Sequence, residues 1–147
     1  MVERVYTAST FIVSQGKVLL HFHPKFHMWL QIGGHIEANE LPHEAALRET
    51  KEETGLYVAL YHSDNVLTFS DAEYVPRPMH IVAVKGLHGK QFVDFLYYAS
   101  TLEQHLPQSA DVVYRWFSRE DLNDYQQWTM PENIRYFALE ALKLLSL

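Results

Sequence analysis

The stretch from Gly34 to Leu56 reads GHIEANELPHEAALRETKEETGL, and it places acidic residues where a helix disfavours them. Proline suits the first turn of a helix and glycine suits the position after its last turn, so the sequence predicts a helix from about Pro42 to Thr54. Glu49, Glu52 and Glu53 fall in its last two turns. The helix dipole is negative at that end and disfavours anions there.

The three glutamates share one face of this helix. At about 100° per residue, Glu52 and Glu53 lie about 60° to one side and 40° to the other side of Glu49. Glu49 and Glu53 form a like-charge i,i+4 pair that destabilises the helix. Lys51 projects from the far side, whereas Arg48 is placed to pair with Glu52. The face is either a solvated acidic surface or a site with room for a cation.

The spacing of the whole stretch favours the second interpretation. It matches the pattern Gly-x5-Glu-x7-Arg-Glu-U-x-Glu-Glu-x-Gly-U, where U is aliphatic, except that Thr50 stands at the first aliphatic position. Seven fixed residues arise by chance with odds on the order of 10⁻⁸ per start site at average residue usage. The chain therefore resembles the Nudix hydrolases. Weaker similarities to the family flank the stretch, at residues 29–34, at Glu37 and at residues 114–122.

This resemblance implies an α/β fold, the Nudix-type α/β/α sandwich with a mixed β-sheet. It also implies a hydrolase that cuts the pyrophosphate of a nucleoside diphosphate derivative by attack of a metal-activated water, with Mg²⁺ or Mn²⁺ as cofactor. The substrate could be a nucleotide sugar such as ADP-ribose or a nucleoside triphosphate. Dinucleoside polyphosphates and the 5′ end of RNA are alternatives.

The family pattern also assigns roles within the stretch. Glu52 and Glu53 map onto the main metal ligands, and Glu49 maps onto a residue that binds metal or orients and deprotonates water. Carboxylates at i, i+3 and i+4 suit Mg²⁺ or Mn²⁺. Arg48 is expected to hold a helix glutamate by a salt bridge rather than to contact phosphate. A metal contact from Gly33 is expected by analogy.

Further acidic residues lie outside the helix. Glu40 and Glu37 are predicted to brace the loop before it by accepting backbone N–H bonds. Family members often add an acid from a distant loop. Asp111 is the first candidate for that acid and a metal ligand, and Glu103 is the second.

Other polar residues are candidate substrate contacts. Asp94 interrupts an apolar strand and is either a site-facing group or an outward polar residue. Lys25 and His27 lie in the loop before the motif, where the fold can touch substrate. His21 and His23 alternate on one strand face, a geometry that zinc could use, but no partner ligand stands at a diagnostic spacing.

The rest of the sequence predicts the order of elements. Periodicity and β-rich runs predict a helix at 131–145, a short helix at 118–124, and strands at 6–13, 17–22, 57–67, 79–84, 91–99 and 112–117. The 147 residues with 48% hydrophobic content suit one domain spanning residues 1–147. Composition and periodicity alone indicate only α/β or α+β.

Composition restricts the function and its setting. The net charge of −6 argues against general affinity for nucleic acid, whereas metal ions can still bridge an acidic site to phosphates. No long apolar run or signal peptide pattern is evident, so a cytoplasmic protein without membrane association is expected. A homodimer is possible by family analogy.

Two other function classes fit the sequence less well than a hydrolase. A Nudix-fold module that binds a nucleotide without cutting it has little need of an acidic trio that destabilises its own helix. A Nudix-related isomerase of isoprenyl diphosphates would normally need a cysteine, and the chain has none.

Overall fold

The computed structural model describes residues 1–63, 65–106 and 111–146. The described residues form eight strands and three helices. The strands are β1 (Glu3–Ser14), β2 (Lys17–Phe22), β3 (Trp29–Leu30), β4 (Ile32–His35), β5 (Ala59–Leu60), β6 (His80–Lys85), β7 (Lys90–Ser100) and β8 (Val113–Ser118). The helices are α1 (Pro42–Thr54), α2 (Arg119–Asn123) and α3 (Glu132–Leu145).

β1 is the central strand of a mixed sheet. One of its edges pairs in parallel with β7 over residues 3–13. Its other edge changes partner, because residues 7–10 pair antiparallel with β4 and residues 12–14 pair antiparallel with β2. β2 also pairs with β3 and β8, and β7 also pairs with β5 and β6. The change of partner places β4, which leads into α1, beside the middle of β1.

Alternate residues of β1 and β7 face opposite helices, as expected of strands with a side-chain period of two. On one face, Ala8 and Tyr97 pack with Ala45 and Ala46 of α1. The opposite face packs against α3, in a core that includes Phe11, Leu20, Leu96, Tyr98, Ile134, Ala138, Ala141 and Leu142. The predicted α/β/α sandwich with a mixed sheet is therefore confirmed.

The bounds of α1 are those predicted from sequence. Gly55 ends the helix in the left-handed conformation, at φ +73°, and its N–H donates to Lys51 O at 2.9 Å. At the other end, the Leu41 N–H donates to Glu44 Oε1 at 2.8 Å. Thr50, at the aliphatic position of the motif, is buried, so this departure affects packing in the interior.

The predicted strand at residues 57–67 is wrong for most of its length. Only Ala59–Leu60 form a strand, and they pair with Ala99 and Ser100 at the end of β7. β6 already occupies that edge of β7 as far as Leu96. After Tyr61, whose N–H donates to Tyr98 O at 2.8 Å, little free strand edge therefore remains. Residue 64 lies outside the described residues.

None of the helices in the described ranges is long and apolar enough to cross a bilayer.

Candidate active site

The acidic end of α1 lies directly against β4. A Cβ atom on Gly34 would collide with the carboxylate of Glu49, so glycine at this position lets the helix acid sit against the strand backbone. A Cβ on Gly33 would likewise collide with Ala8 and Ser9 of β1. The two adjacent glycines thus permit close packing between the central strand, β4 and the helix.

Arg48 ties the acidic residues and the loop together. Its Nε donates to Glu40 Oε2 at 2.5 Å, and its two terminal nitrogens donate to Glu40, to Glu49 at 3.0 Å and to Glu52 at 3.2 Å. It also donates to the carbonyl oxygen of His35 at 3.0 Å. One guanidinium group therefore fixes two helix glutamates relative to the loop.

The loop before α1 is held by the same arginine. Glu40 accepts a hydrogen bond from the Glu37 N–H at 3.0 Å, and the Arg48 hydrogen bond lowers the pKa of Glu40. Glu37 itself is exposed, with one carboxylate oxygen 3.9 Å from the guanidinium. Glu44, four residues before Arg48, accepts the Leu41 N–H.

Glu53 is the most perturbed acid of the group. Burial raises its pKa to about 8, and the hydrogen bond and charge of Glu49 act in the same direction. Its Oε2 is buried and has no hydrogen-bond partner among the described residues. The same oxygen lies 3.8 Å from Nδ1 of His21. Two carboxyl groups in contact, one with an unpartnered buried oxygen, form an environment that favours a bound cation.

The arrangement fits a divalent cation in its donor chemistry, although its ligands are not preassembled. Hard oxygen donors from Glu49, Glu52 and Glu53 suit Mg²⁺ or Mn²⁺. Within the described ranges, no three acidic or histidine side chains already converge on one point as a metal site requires. Arg48 explains part of this, because it binds a carboxylate oxygen of both Glu49 and Glu52.

Glu53 also lines a cavity of about 560 Å³. The cavity extends over the sheet face that carries Asp94, and Asp94 is only 6% exposed. Its carboxylate accepts hydrogen bonds from Thr7 at 2.8 Å, from Ser9 at 2.8 and 2.9 Å, and from Gln31 at 3.0 Å. Asp94 therefore faces the cavity and is not an outward polar residue in solvent.

Comparison with known proteins agrees with this geometry. The model of the NUDIX domain matches residues 4–140, which is nearly the whole chain. The chain belongs to the NUDIX domain family. A NUDIX-family hydrolase from Clostridium perfringens is 39% identical in sequence, superposes with a TM-score of 0.88, and is covered over 100% of its length by 99% of this chain.

Other relatives match less closely. The uncharacterized Nudix hydrolase YvcI of Bacillus subtilis is 29% identical over 115 residues, which are 78% of this chain and 64% of that protein. The match therefore spans less than two thirds of the length of YvcI. The NUDIX domain of Shewanella oneidensis NrtR, solved in complex with ADP ribose, shares the fold at 20% identity and a TM-score of 0.66, over 99% of this chain and 91% of that one.

Several residues predicted as Nudix site groups do not line the cavity. Asp111 is exposed two residues before β8, and Glu103 is exposed and pairs with His105 at 3.7 Å. Lys25 and His27 are exposed in the loop after β2, which reaches the cavity instead through Phe26 and Met28. The structure brings Glu53 and Asp94 to one cavity and leaves these four outside its lining.

His21 and His23 lie side by side, with ring centroids 5.7 Å apart. Burial, followed by the effect of His23, lowers the pKa of His21 to about 4, so this ring is neutral at physiological pH. The His23 ring instead accepts the backbone N–H groups of Lys25 and Phe26. In the described parts of the chain, no third ligand joins the two rings, so the structure supports no zinc site there.

Sequence reasoning missed Thr7, Ser9 and Gln31, which hold Asp94. The sequence does contain a pattern that groups two of them. Thr7 and Ser9 stand at alternate positions of β1 and therefore share a face. Their partner lies more than 80 residues away in the chain, so the pattern could not identify Asp94.

Proposed function

We propose that this NUDIX-family chain is a divalent-metal-dependent pyrophosphohydrolase that cuts the diphosphate of a nucleoside diphosphate derivative. The observation that carries the proposal is the pairing of Glu49 and Glu53. Both lie partly buried at the end of α1, and Glu53 Oε2 has no hydrogen-bond partner in the described residues. Two buried acids in contact destabilise the fold unless a cation or a proton compensates their charge, so the pair favours a bound cation.

The chain's own residues divide the work in this proposal. Glu52 and Glu53 would hold Mg²⁺ or Mn²⁺, with Glu49 as a further ligand or as the group that accepts a proton from water. A bound divalent ion lowers the pKa of water and neutralises phosphate charge. Arg48 positions the helix acids through its hydrogen bonds to Glu49 and Glu52. Gly33 and Asp111 are the remaining proposed metal contacts.

The substrate class is supported by fold and charge. The NrtR NUDIX domain, solved with ADP ribose, is an example of this fold holding a nucleoside diphosphate derivative. A net charge of −6 favours a small metal-bridged phosphate compound over extended nucleic acid. We therefore propose nucleotide sugars and nucleoside triphosphates as the first substrates to test. Lys25 and His27 belong to the loop whose Phe26 and Met28 line the cavity, and we propose that they contact the substrate.

Phosphate or nucleotide release from a nucleotide panel, with Mg²⁺ or Mn²⁺ and then with a chelator, tests the proposal. We expect release that requires metal and is lost in Glu52→Gln and Glu53→Gln. The exposed loop substitution Glu73→Gln is the matched control and should leave release unchanged. Mass spectrometry of products formed in H₂¹⁸O then locates the attacked phosphorus. Metal-dependent binding without release by the wild type would instead identify a binding module.

A further inference from the structure

The cavity has a second polar end that the hydrolysis chemistry does not use. One part is lined by Gly33, Gly34 and Glu53, and the other is centred on Asp94. Between and around them the walls are largely apolar, with Leu30, Val82, Val84, Leu87, Phe92 and Leu96. Its volume of about 560 Å³ is typical of a small-molecule site.

The carboxylate of Asp94 is buried without a charged hydrogen-bond donor. Thr7, Ser9 and Gln31 donate to it, and all three are neutral. Burial raises the pKa of Asp94, whereas the three donors act to lower it. Burying a carboxylate without a charged partner costs free energy. An apolar residue at this position would avoid that cost, so Asp94 does not serve stability alone.

Asp94 can accept more hydrogen bonds than its neighbours donate to it. A carboxylate offers about four lone-pair sites. The hydroxyl of Ser9 lies near both carboxylate oxygens, at 2.9 and 2.8 Å, but has a single hydrogen to share. Thr7 and Gln31 supply one hydrogen each to Asp94. Three hydrogens therefore face about four acceptor sites.

Gln31 adds another unused acceptor. Its Nε2 donates to Asp94 at 3.0 Å and approaches Ser9 Oγ at 3.4 Å, which fixes the orientation of the amide. Its Oε1 therefore points the other way, and it is buried with no hydrogen-bond partner within the described ranges. The donors at this end are therefore used, whereas about one acceptor site of Asp94 and the amide oxygen of Gln31 are not. A ligand that complements it must supply N–H or O–H groups, which a fully ionised phosphate lacks.

The two ends lie within reach of one nucleotide. Ser9 pairs with Gly33 of β4 on one side, and Thr7 pairs with Asp94 of β7 on the other. Asp94 is therefore about two strand spacings, roughly 10 Å, from the β4 backbone that supports Glu49. A diphosphate bound at the helix acids would leave the nucleoside within the cavity.

We propose that Asp94, supported by Gln31, is the specificity-determining residue of this site and selects nucleotides whose base carries an amino or amidine N–H group. The proposal rests on the proposed function for the position of the diphosphate. The apolar walls accept the ring, and the acceptor-only end binds its N–H edge. Bases that present only acceptors there are rejected because their oxygen or nitrogen atoms would face the carboxylate.

Matched substrate pairs test this selection. GTP and ITP differ only by the 2-amino group, and ATP and purine riboside triphosphate differ only by the 6-amino group. We expect the wild type to favour the amino-bearing member of at least one pair by about 10- to 100-fold in kcat/KM, mainly through KM. Asp94→Asn should abolish that preference, mainly by raising KM for the better substrate. Asp71→Asn, in an exposed loop, is the control.

A second variant and a binding assay keep the test decisive. Gln31→Met removes the spare amide oxygen but leaves Asp94, and it should reduce the preference even if Asp94→Asn does not fold. Nuclear magnetic resonance titration with GMP and IMP, without metal, measures selection independently of hydrolysis. Hydrolysis with equal use of both members of each pair, or with a preference unchanged in both variants, overturns the selection and leaves the proposed function standing. Selective binding by a chain that hydrolyses none of the nucleotides would overturn the proposed function and support the selection by Asp94.

Discussion

The chain contains two buried acidic environments that differ in what surrounds the carboxylate. At the end of α1, Glu53 contacts another acid, Glu49, and Arg48 holds the group in place. On the sheet, Asp94 stands alone among neutral donors from Thr7, Ser9 and Gln31. The first environment concentrates negative charge and favours a metal ion. The second leaves single acceptors unused and favours a neutral N–H group, so similar burial of one chemical group supports two different roles.

The largest predicted effect separates these roles kinetically. Glu53→Gln removes a proposed metal ligand and should lower kcat on the order of 10³-fold, since bound metal contributes several kcal/mol to the transition state. Asp94→Asn should instead act mainly by raising KM for its best substrate. Steady-state kinetics with a saturating Mg²⁺ titration measure both. A comparable loss of kcat in the two variants would show that Asp94 belongs to the reaction chemistry.

The next prediction concerns the arginine that organises only the first environment. Arg48→Lys keeps one positive charge but loses the planar set of donors that binds Glu40, Glu49 and Glu52 together. We expect activity or metal affinity to fall about 10- to 100-fold, as for groups that orient metal ligands.

Exposed Arg4 provides the control, and Arg4→Lys should behave as wild type. Base preference should survive in Arg48→Lys, because Arg48 does not contact Asp94. A variant with full activity would show that the hydrogen bonds of Arg48 are dispensable for positioning.

Local patterns in the sequence predicted the first environment well. Pro42 and Gly55 mark the ends of α1, and a period of 3.6 residues places Glu49 and Glu53 on one face. The predicted strand at residues 57–67 failed because a strand also needs a free partner edge, and β6 occupies most of that edge of β7. Propensity carries no information about which edges remain available.

The second environment could not be assembled from sequence. Asp94 meets Ser9 and Gln31 only because β1 and β7 pair in parallel and β1 changes partner from β2 to β4. These contacts join residues 85 and 63 positions apart. No local period encodes such pairings, so the sequence could single out Asp94 as unusual but could not name its partners.

A third prediction follows from the raised pKa of Glu53 in metal-free protein. The pKa is about 8 in the folded state, against 4.5 for the ordinary group, so the folded state retains a proton that the unfolded state releases. The stabilisation from this proton is fully present below pH 4.5 and is lost as pH rises to about 8. Across that range, Glu53 should therefore reduce the free energy of unfolding by roughly 3 to 5 kcal/mol.

Urea denaturation at pH 5 and pH 8, with a chelator, measures this change. The wild-type value minus that of Glu53→Gln isolates the contribution, because the other titrating groups are common to both proteins. Glu73→Gln is again the control. Saturating Mg²⁺ should remove this pH dependence of the free energy of unfolding, since a cation stabilises the ionised carboxylate. A difference that is independent of pH would show that Glu53 titrates normally in the folded protein.

The smallest predicted effect tests whether Asp94 depends on its neutral donors. Thr7 and Thr10 lie on the same strand but face opposite sides of the sheet. The hydroxyl of Thr7 donates to Asp94, whereas that of Thr10 is buried with no partner in the part of the chain that the structure describes. Thr7→Val should therefore lower the free energy of unfolding by about 1 to 2 kcal/mol, because it removes a hydrogen bond to a charged group.

Thr10→Val is the matched substitution, and it should be neutral or stabilising by up to about 1 kcal/mol, because it replaces an unpaired buried hydroxyl with a methyl group. Urea denaturation at pH 7 compares the two variants directly. Equal destabilisation would mean that strand packing, rather than the hydrogen bond to Asp94, sets the cost at position 7. The opposite signs expected here would show that Asp94 relies on a network of neutral donors, which is what leaves its remaining acceptor capacity available to a ligand.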